Sequence, residues 1–192
     1  MNDNYIYLVF SKTGTWLSRG ISFFSKTKFV HTSLSFDNSF KVMYSFGRIH
    51  PDKPFTGGFA IENLYDGVYQ KSTYCECMIY KIRVTREQYL DLQREVSYFC
   101  ENKKNFKYNF LGLFGVLLNR PVIRKNYYFC TQFVSEVLIN SNIYKSEKIP
   151  ALIKTTDLMD ISNMELVYNG PIHTFNLPYE YSDLINTIEQ VI

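Results

Sequence analysis

The chain has 192 residues, enough to bury one sizeable core, and its 21 basic and 18 acidic side chains leave a formal charge of +3, too mild to point to nucleic acid. Met1-Asn2-Asp3-Asn4 lacks the charged-then-apolar layout of a signal peptide, and the longest apolar run, Phe110 to Leu118, is too short to span a bilayer. Four cysteines do not make a disulfide framework, so one domain over 1–192 in a reducing, cytoplasmic setting is expected, with no integral membrane segment.

Tyr5 to Phe10 is a β-branched and aromatic run, read as a buried strand. Gly14 to Ser25 carries apolar residues at helical spacing. Phe29 to Phe36 alternates, with Phe29, His31, Ser33 and Ser35 on one face and Val30, Thr32, Leu34 and Phe36 on the other. Asp37-Asn38-Ser39 reads as a turn that returns the chain through Phe40 to Phe46 as the second arm of a hairpin. Residues 47–58, with their glycines and prolines, read as a long irregular loop, followed by a short strand from Phe59 and a better one from Cys75 to Val84. Thr85-Arg86-Glu87-Gln88 is a capping box that opens a helix striped by Tyr89, Leu92, Val96, Phe99 and Cys100.

Tyr108 to Leu118 is apolar on most sides and predicts a buried helix ending before Asn119-Arg120-Pro121. Tyr127 to Leu138 reads as a short extended entry and then an amphipathic helix starting at Cys130. Cys130, Phe133, Val134, Val137 and Leu138 share its apolar stripe, and Gln132, Ser135 and Glu136 form its wet side. Past Pro150 come a short helical turn at Thr156-Asp157, a strand from Glu165 interrupted at Gly170-Pro171 that carries His173, and a closing helix from Ser182 to Ile192. The sum is one α+β domain without repeats or linkers.

A cysteine in the first turn of a helix sits where unpaired N–H groups and the helix dipole favour thiolate. A nucleophile there also needs an imidazole to take its proton and return it to the leaving group, and of the three histidines only His31 lies inside a strand, on its more polar face. Cys75 and Cys77 share a face of one strand, but two thiols without a second pair point to core packing rather than zinc.

Val30-His31-Thr32-Ser33-Leu34-Ser35-Phe36, followed much later by Phe129-Cys130-Thr131-Gln132-Phe133-Val134, resembles the permuted branch of the NlpC-like papain-fold cysteine hydrolases, which includes the YiiX-type proteins and the relatives of lecithin:retinol acyltransferase. In that branch the histidine precedes the cysteine, as here. The resemblance implies a permuted papain-like fold, mostly antiparallel sheet with the cysteine helix packed against it, and a thiol hydrolase that needs no cofactor or metal. Its substrate would be a peptide-like or other amide molecule, including an isopeptide or cell-wall-type bond. The same dyad could instead pass an acyl-thioester to an amine or alcohol, as an acyltransferase on lipid-like substrates. A non-catalytic binding module on the same scaffold is the third reading. The sequence leaves the oligomeric state open.

The family places a third polar residue on the strand after the histidine. If Asp37-Asn38-Ser39 is a three-residue turn, Phe36 pairs with Phe40 and His31 lies opposite Ser45, which would then orient the imidazole. A one-residue slip would put Tyr44 or Phe46 there. Glu62, just after Gly57-Gly58-Phe59, takes the place if the loop folds back. The catalytic set expected is therefore Cys130, His31 and Ser45, with Glu62 as the substitute for Ser45.

Overall fold

Apolar residues of both alternating sets run along Asn4–Lys12, so this strand, β1, is buried on both faces and forms the middle of the sheet. The structure, a computed structural model, describes residues 3–12, 27–48, 57–67, 69 and 75–175. The helix expected over Gly14 to Ser25, the closing helix from Ser182 to Ile192, and His50 lie outside them.

After β1 come β2 (His31–Ser35), β3 (Met43–Arg48), β4 (Gly57–Glu62) and β5 (Glu76–Val84), then helix α1 (Arg86–Glu101). A two-residue strand, β6 (Lys107–Tyr108), leads into α2 (Phe110–Leu117), and β7 (Tyr127–Tyr128) leads into α3 (Cys130–Asn140). A short α4 (Thr155–Met159) and β8 (Met164–Pro171) follow. The main sheet has six strands in the order β4-β3-β2-β1-β5-β8, every neighbouring pair antiparallel. The fold among the described residues is thus mixed α+β with a mostly antiparallel sheet; β6 and β7 form a small parallel pair of their own. None of the described helices is long and apolar enough to cross a membrane.

Each face of the sheet holds its own core. On one, Ile6, Leu8, Phe10, Leu34, Phe46 and Phe59 meet Leu92, Val96 and Phe99 of α1 and Phe133, Val134, Val137 and Leu138 of α3. On the other, Val9, Phe40, Met43, Cys77 and Ile79 pack with Leu64, Tyr69, Cys75 and Ile172. The odd–even alternation of β1 divides its side chains between the two.

The expected capping box forms: the Thr85 hydroxyl accepts the Gln88 N–H at 3.2 Å and the Gln88 side chain accepts the Thr85 N–H at 2.9 Å. Other expectations are corrected. Residues 47–58 are not all loop, because β3 runs on to Arg48 and β4 begins at Gly57, with Gly47 paired to Gly58. A side chain at Gly57 would meet the Tyr108 Cβ at 2.7 Å, so the glycines allow strands to pass where larger residues could not. His173 lies in an exposed 3-10 turn after β8, not in a strand. Gln132 and Ser135, expected on a wet side, are buried, because α3 is hemmed in by the sheet, α1 and the 3-10 turn Pro150–Leu152 together. The buried helix expected over Tyr108 to Leu118 is instead largely exposed along Leu111, Phe114 and Leu118.

Candidate active site

His31 is the first residue of β2, so its imidazole stands at the end of the sheet, beside Ser11 of β1 in the register. Its strand alternates, placing His31 and Ser33 on the side of the second core and Leu34 in the first. Cys130 arrives from the other direction, as the first residue of α3. That helix end is fixed by the Thr131 hydroxyl, which donates to the Ile153 carbonyl at 2.7 Å, and by its apolar stripe in the first core. The Cys130 thiol lies against the Val30 carbonyl at 3.9 Å, one residue before His31, and Cys130 is among the groups that raise the His31 pKa. The structure therefore brings together His31 and Cys130, a hundred residues apart in sequence.

Ser45 is placed differently. Leu34 pairs with Tyr44, so the hairpin runs two residues longer than a three-residue turn allows, and the register sets Ser33 opposite Ser45 and His31 opposite Gly47. A two-residue shift keeps the same face, but the buried Ser45 hydroxyl donates to the Thr32 carbonyl at 2.6 Å rather than to the imidazole. The physical reason for the longer loop lies in Asp37, whose side chain accepts the Ser39 N–H at 2.8 Å, and in Phe40, which takes φ 52.

Glu62, the last residue of β4, holds the imidazole instead. His31 Nε2 lies 2.9 and 3.1 Å from its two carboxylate oxygens. Ser33 donates to Glu62 Oε2 at 2.6 Å and lies 3.3 Å from His31 Nε2, and Tyr69 donates to the same carboxylate oxygen at 3.1 Å. Ser11 lies 3.4 Å from the Tyr69 hydroxyl and extends the network inward. Gly47 makes this crossing possible: a β-carbon there would sit 3.3 Å from Glu62 Oε1 and 3.5 Å from His31 Cε1. With Nε2 committed to the carboxylate, Nδ1 is the ring nitrogen left for the thiol.

The electrostatics follow from that packing. Burial acts to lower the His31 pKa, but the Glu62 charge, hydrogen bonding to Cys130 and Glu62, and the Cys130 charge outweigh it and hold the imidazole well above its ordinary value. Burial acts to raise the Glu62 pKa, yet the His31 charge and the hydrogen bonds from His31, Ser33 and Tyr69 hold the carboxyl below its usual range. Tyr69 is pushed well up by burial and by the Glu62 charge, so it stays a proton donor. Tyr108 is likewise pushed well up by burial and then by the charges of Cys130 and Glu62. The His31 and Glu62 side chains are each 17% exposed, so both are largely shielded from bulk water.

Chemically, the arrangement joins a thiol, an imidazole that favours its protonated form and a carboxylate that steadies that form. Phe129, the N-cap of α3, makes no side-chain capping bond, and the first helical N–H groups have no partner of their own within the helix. Of the network, Ser33 was legible beforehand as a face-mate of His31. Tyr69 and Tyr108 were missed, since nothing in their local spacing distinguishes them from the chain's other tyrosines. Cys75 and Cys77 are buried in the second core, and burial pushes the Cys77 thiol up to about 12. Cys100, expected in the core, is half-buried at its edge. Searches of protein-family models, of curated proteins and of solved structures return no match to this chain.

Proposed function

We propose that this protein is a thiol-dependent hydrolase of the peptidase or amidase type on a permuted papain-like fold, with Cys130 as nucleophile, His31 as proton carrier and Glu62 as the residue that orients His31. The observation that carries the reading is the Cys130 thiol set against the Val30 carbonyl, next to a His31 whose imidazole is bonded to a carboxylate fixed by Ser33 and Tyr69. The histidine strand precedes the cysteine helix, and that helix packs on an antiparallel sheet, as the permuted papain-like arrangement requires.

In the reaction, the Cys130 sulfur attacks the carbonyl carbon of an amide, and the electron pair of the C=O bond moves to its oxygen. The N–H groups at the start of α3 are suited to stabilise that oxyanion. As the C–N bond breaks, imidazolium gives its proton to the departing amine, leaving an acyl-thioester on Cys130 and a neutral His31. Water then gives a proton to His31 while its oxygen attacks the thioester. Collapse releases the carboxylic acid and restores the thiolate–imidazolium pair. Glu62 accepts the Nε2–H throughout and stabilises the charged ring without taking its proton.

Carboxamidomethylation of Cys130 followed against pH tests the pair. The pH profile is read rather than the absolute rate, so the low exposure of Cys130 does not blur the result. Labelling in mildly acidic solution should depend on His31, so that His31→Ala slows it there by about tenfold or more. An ordinary thiol profile in both proteins would reject the catalytic reading in favour of a binding module. Mass analysis after addition of a p-nitrophenyl acyl ester then separates the reactions: an adduct on Cys130 that decays in water marks a hydrolase, and one that waits for an added amine marks an acyltransferase.

A further inference from the structure

Between Glu101 and Glu136 the chain has no acidic residue, yet it carries Lys103, Lys104, Lys107, Arg120, Arg124 and Lys125. These six leave fifteen basic against eighteen acidic side chains elsewhere, so the chain's positive balance comes entirely from this stretch. All six are exposed, and none forms an ion pair with a described residue. Lys107 and Arg124 instead stand over the Tyr127 ring.

The same segment turns its apolar side outward. Leu111, Phe114 and Leu118, at helical spacing on one face of α2 and its C-cap, are 58%, 58% and 72% exposed, and Ile123 on the following loop is 70% exposed. The loop is held against the helix: Arg120 N–H bonds the Gly115 carbonyl at 2.8 Å, Asn109 donates to the Val122 carbonyl at 2.9 Å, and a β-carbon at Gly115 would collide with the Arg120 carbonyl. Gly112 lets α2 sit close to Phe129 and Gly115 lets the return loop close on the helix, while Leu111, Phe114 and Leu118 face away.

We infer that α2 and its return loop form a docking surface for an anionic lipid bilayer. Aliphatic and aromatic side chains on a convex helix enter the headgroup–acyl boundary, and the flanking lysines and arginines meet lipid phosphates. A second copy of this chain fits poorly, because a twofold contact would set the same six cations against each other. Three helical side chains and one loop residue also offer less area than a stable protein interface buries on each partner. Phe129, the residue before Cys130, packs against Gly112 of α2, so docking would hold the candidate site next to the membrane surface. The inference does not rest on catalysis, since binding is read without turnover.

The test is co-sedimentation of the full chain with vesicles of phosphatidylcholine alone or mixed with phosphatidylglycerol. The wild type should partition to the mixed vesicles at least about tenfold more strongly than to the neutral ones, and should be released by salt on the order of 0.5 M. Leu111→Ser with Phe114→Ser and Leu118→Ser, and separately Arg120→Glu with Arg124→Glu and Lys125→Glu, should each abolish partition while leaving the melting temperature and the pH profile of Cys130 labelling unchanged. The single change Phe114→Gln, which alters one exposed side chain, should weaken partition several-fold and guards against a misfolded triple variant. Equal partition to neutral and anionic vesicles, or partition that survives both sets of changes, would overturn the proposal. So would sedimentation of the lipid-free chain as a dimer that Phe114→Gln dissociates, which would assign the face to a second copy.

Discussion

The two faces of the sheet around β3 solve opposite problems. Beneath α1 and α3, Phe46, Phe59, Phe99, Phe106, Tyr128 and Phe133 pack ring on ring, with centroid separations from 4.7 to 6.1 Å and mostly edge-on or tilted geometry. On the His31 side, one carboxylate receives an imidazole, a serine and a tyrosine, and a glycine leaves the space for them. Apolar contact has no direction, so the aromatic cluster draws stability from area and tolerates small shifts. A buried charge network stabilises nothing unless each partner is placed within a few tenths of an ångström, and it converts that placement into a pKa. Stability should therefore concentrate in the first region and thiol chemistry in the second.

The strongest attempt to break this division is Phe133→Ala. Phe133 is fully buried and touches three other rings of the cluster, so the change should cost about 3–5 kcal/mol, measured by urea unfolding. The molecules that remain folded should keep the wild-type pH profile of Cys130 labelling. A shifted profile would show that the core also tunes the site.

Next in size is Glu62→Gln. It removes the largest influence that raises the His31 pKa, so the imidazolium should lose its proton at lower pH. The sign follows directly: stability drawn from the raised His31 pKa is present at low pH and is lost as pH rises through the folded-state value. The variant should lose that contribution, and at pH 6 its Cys130 labelling should fall by roughly tenfold or more. An unchanged profile would remove Glu62 from the orienting role.

Gly47→Ala is a smaller probe of the same geometry. Its β-carbon meets Glu62 Oε1 at 3.3 Å, tighter than relaxed contact, so labelling near pH 6 should fall a few-fold with the melting temperature little changed. Least disruptive to chemistry is Ser45→Ala, which deletes a buried hydrogen bond to the Thr32 carbonyl. It should cost about 1 kcal/mol in unfolding free energy and leave the labelling profile intact. A profile shift equal to that of Glu62→Gln would return Ser45 to the orienting place.

The strands, the capped helix α1 and the pairing of a strand histidine with a helix-start cysteine were legible in the sequence. Each depends on local rules: alternation, helical periodicity and the chemistry of Thr85 and Gln88. Three things were decided only by tertiary structure. The hairpin register depended on how Asp37 and Phe40 shape the turn, and two extra residues there moved Ser45 from His31 to the Thr32 carbonyl. The exposure of α2 and the burial of Gln132 depended on which elements surround each helix, a property that periodicity does not encode. Glu62 could be named from sequence as a candidate, but its place beside His31 required β4 to pair with β3 across Gly47, with Ser33 and Tyr69 closing on the carboxylate. Local sequence supplied the side chains of the candidate site; long-range pairing set the distances between them.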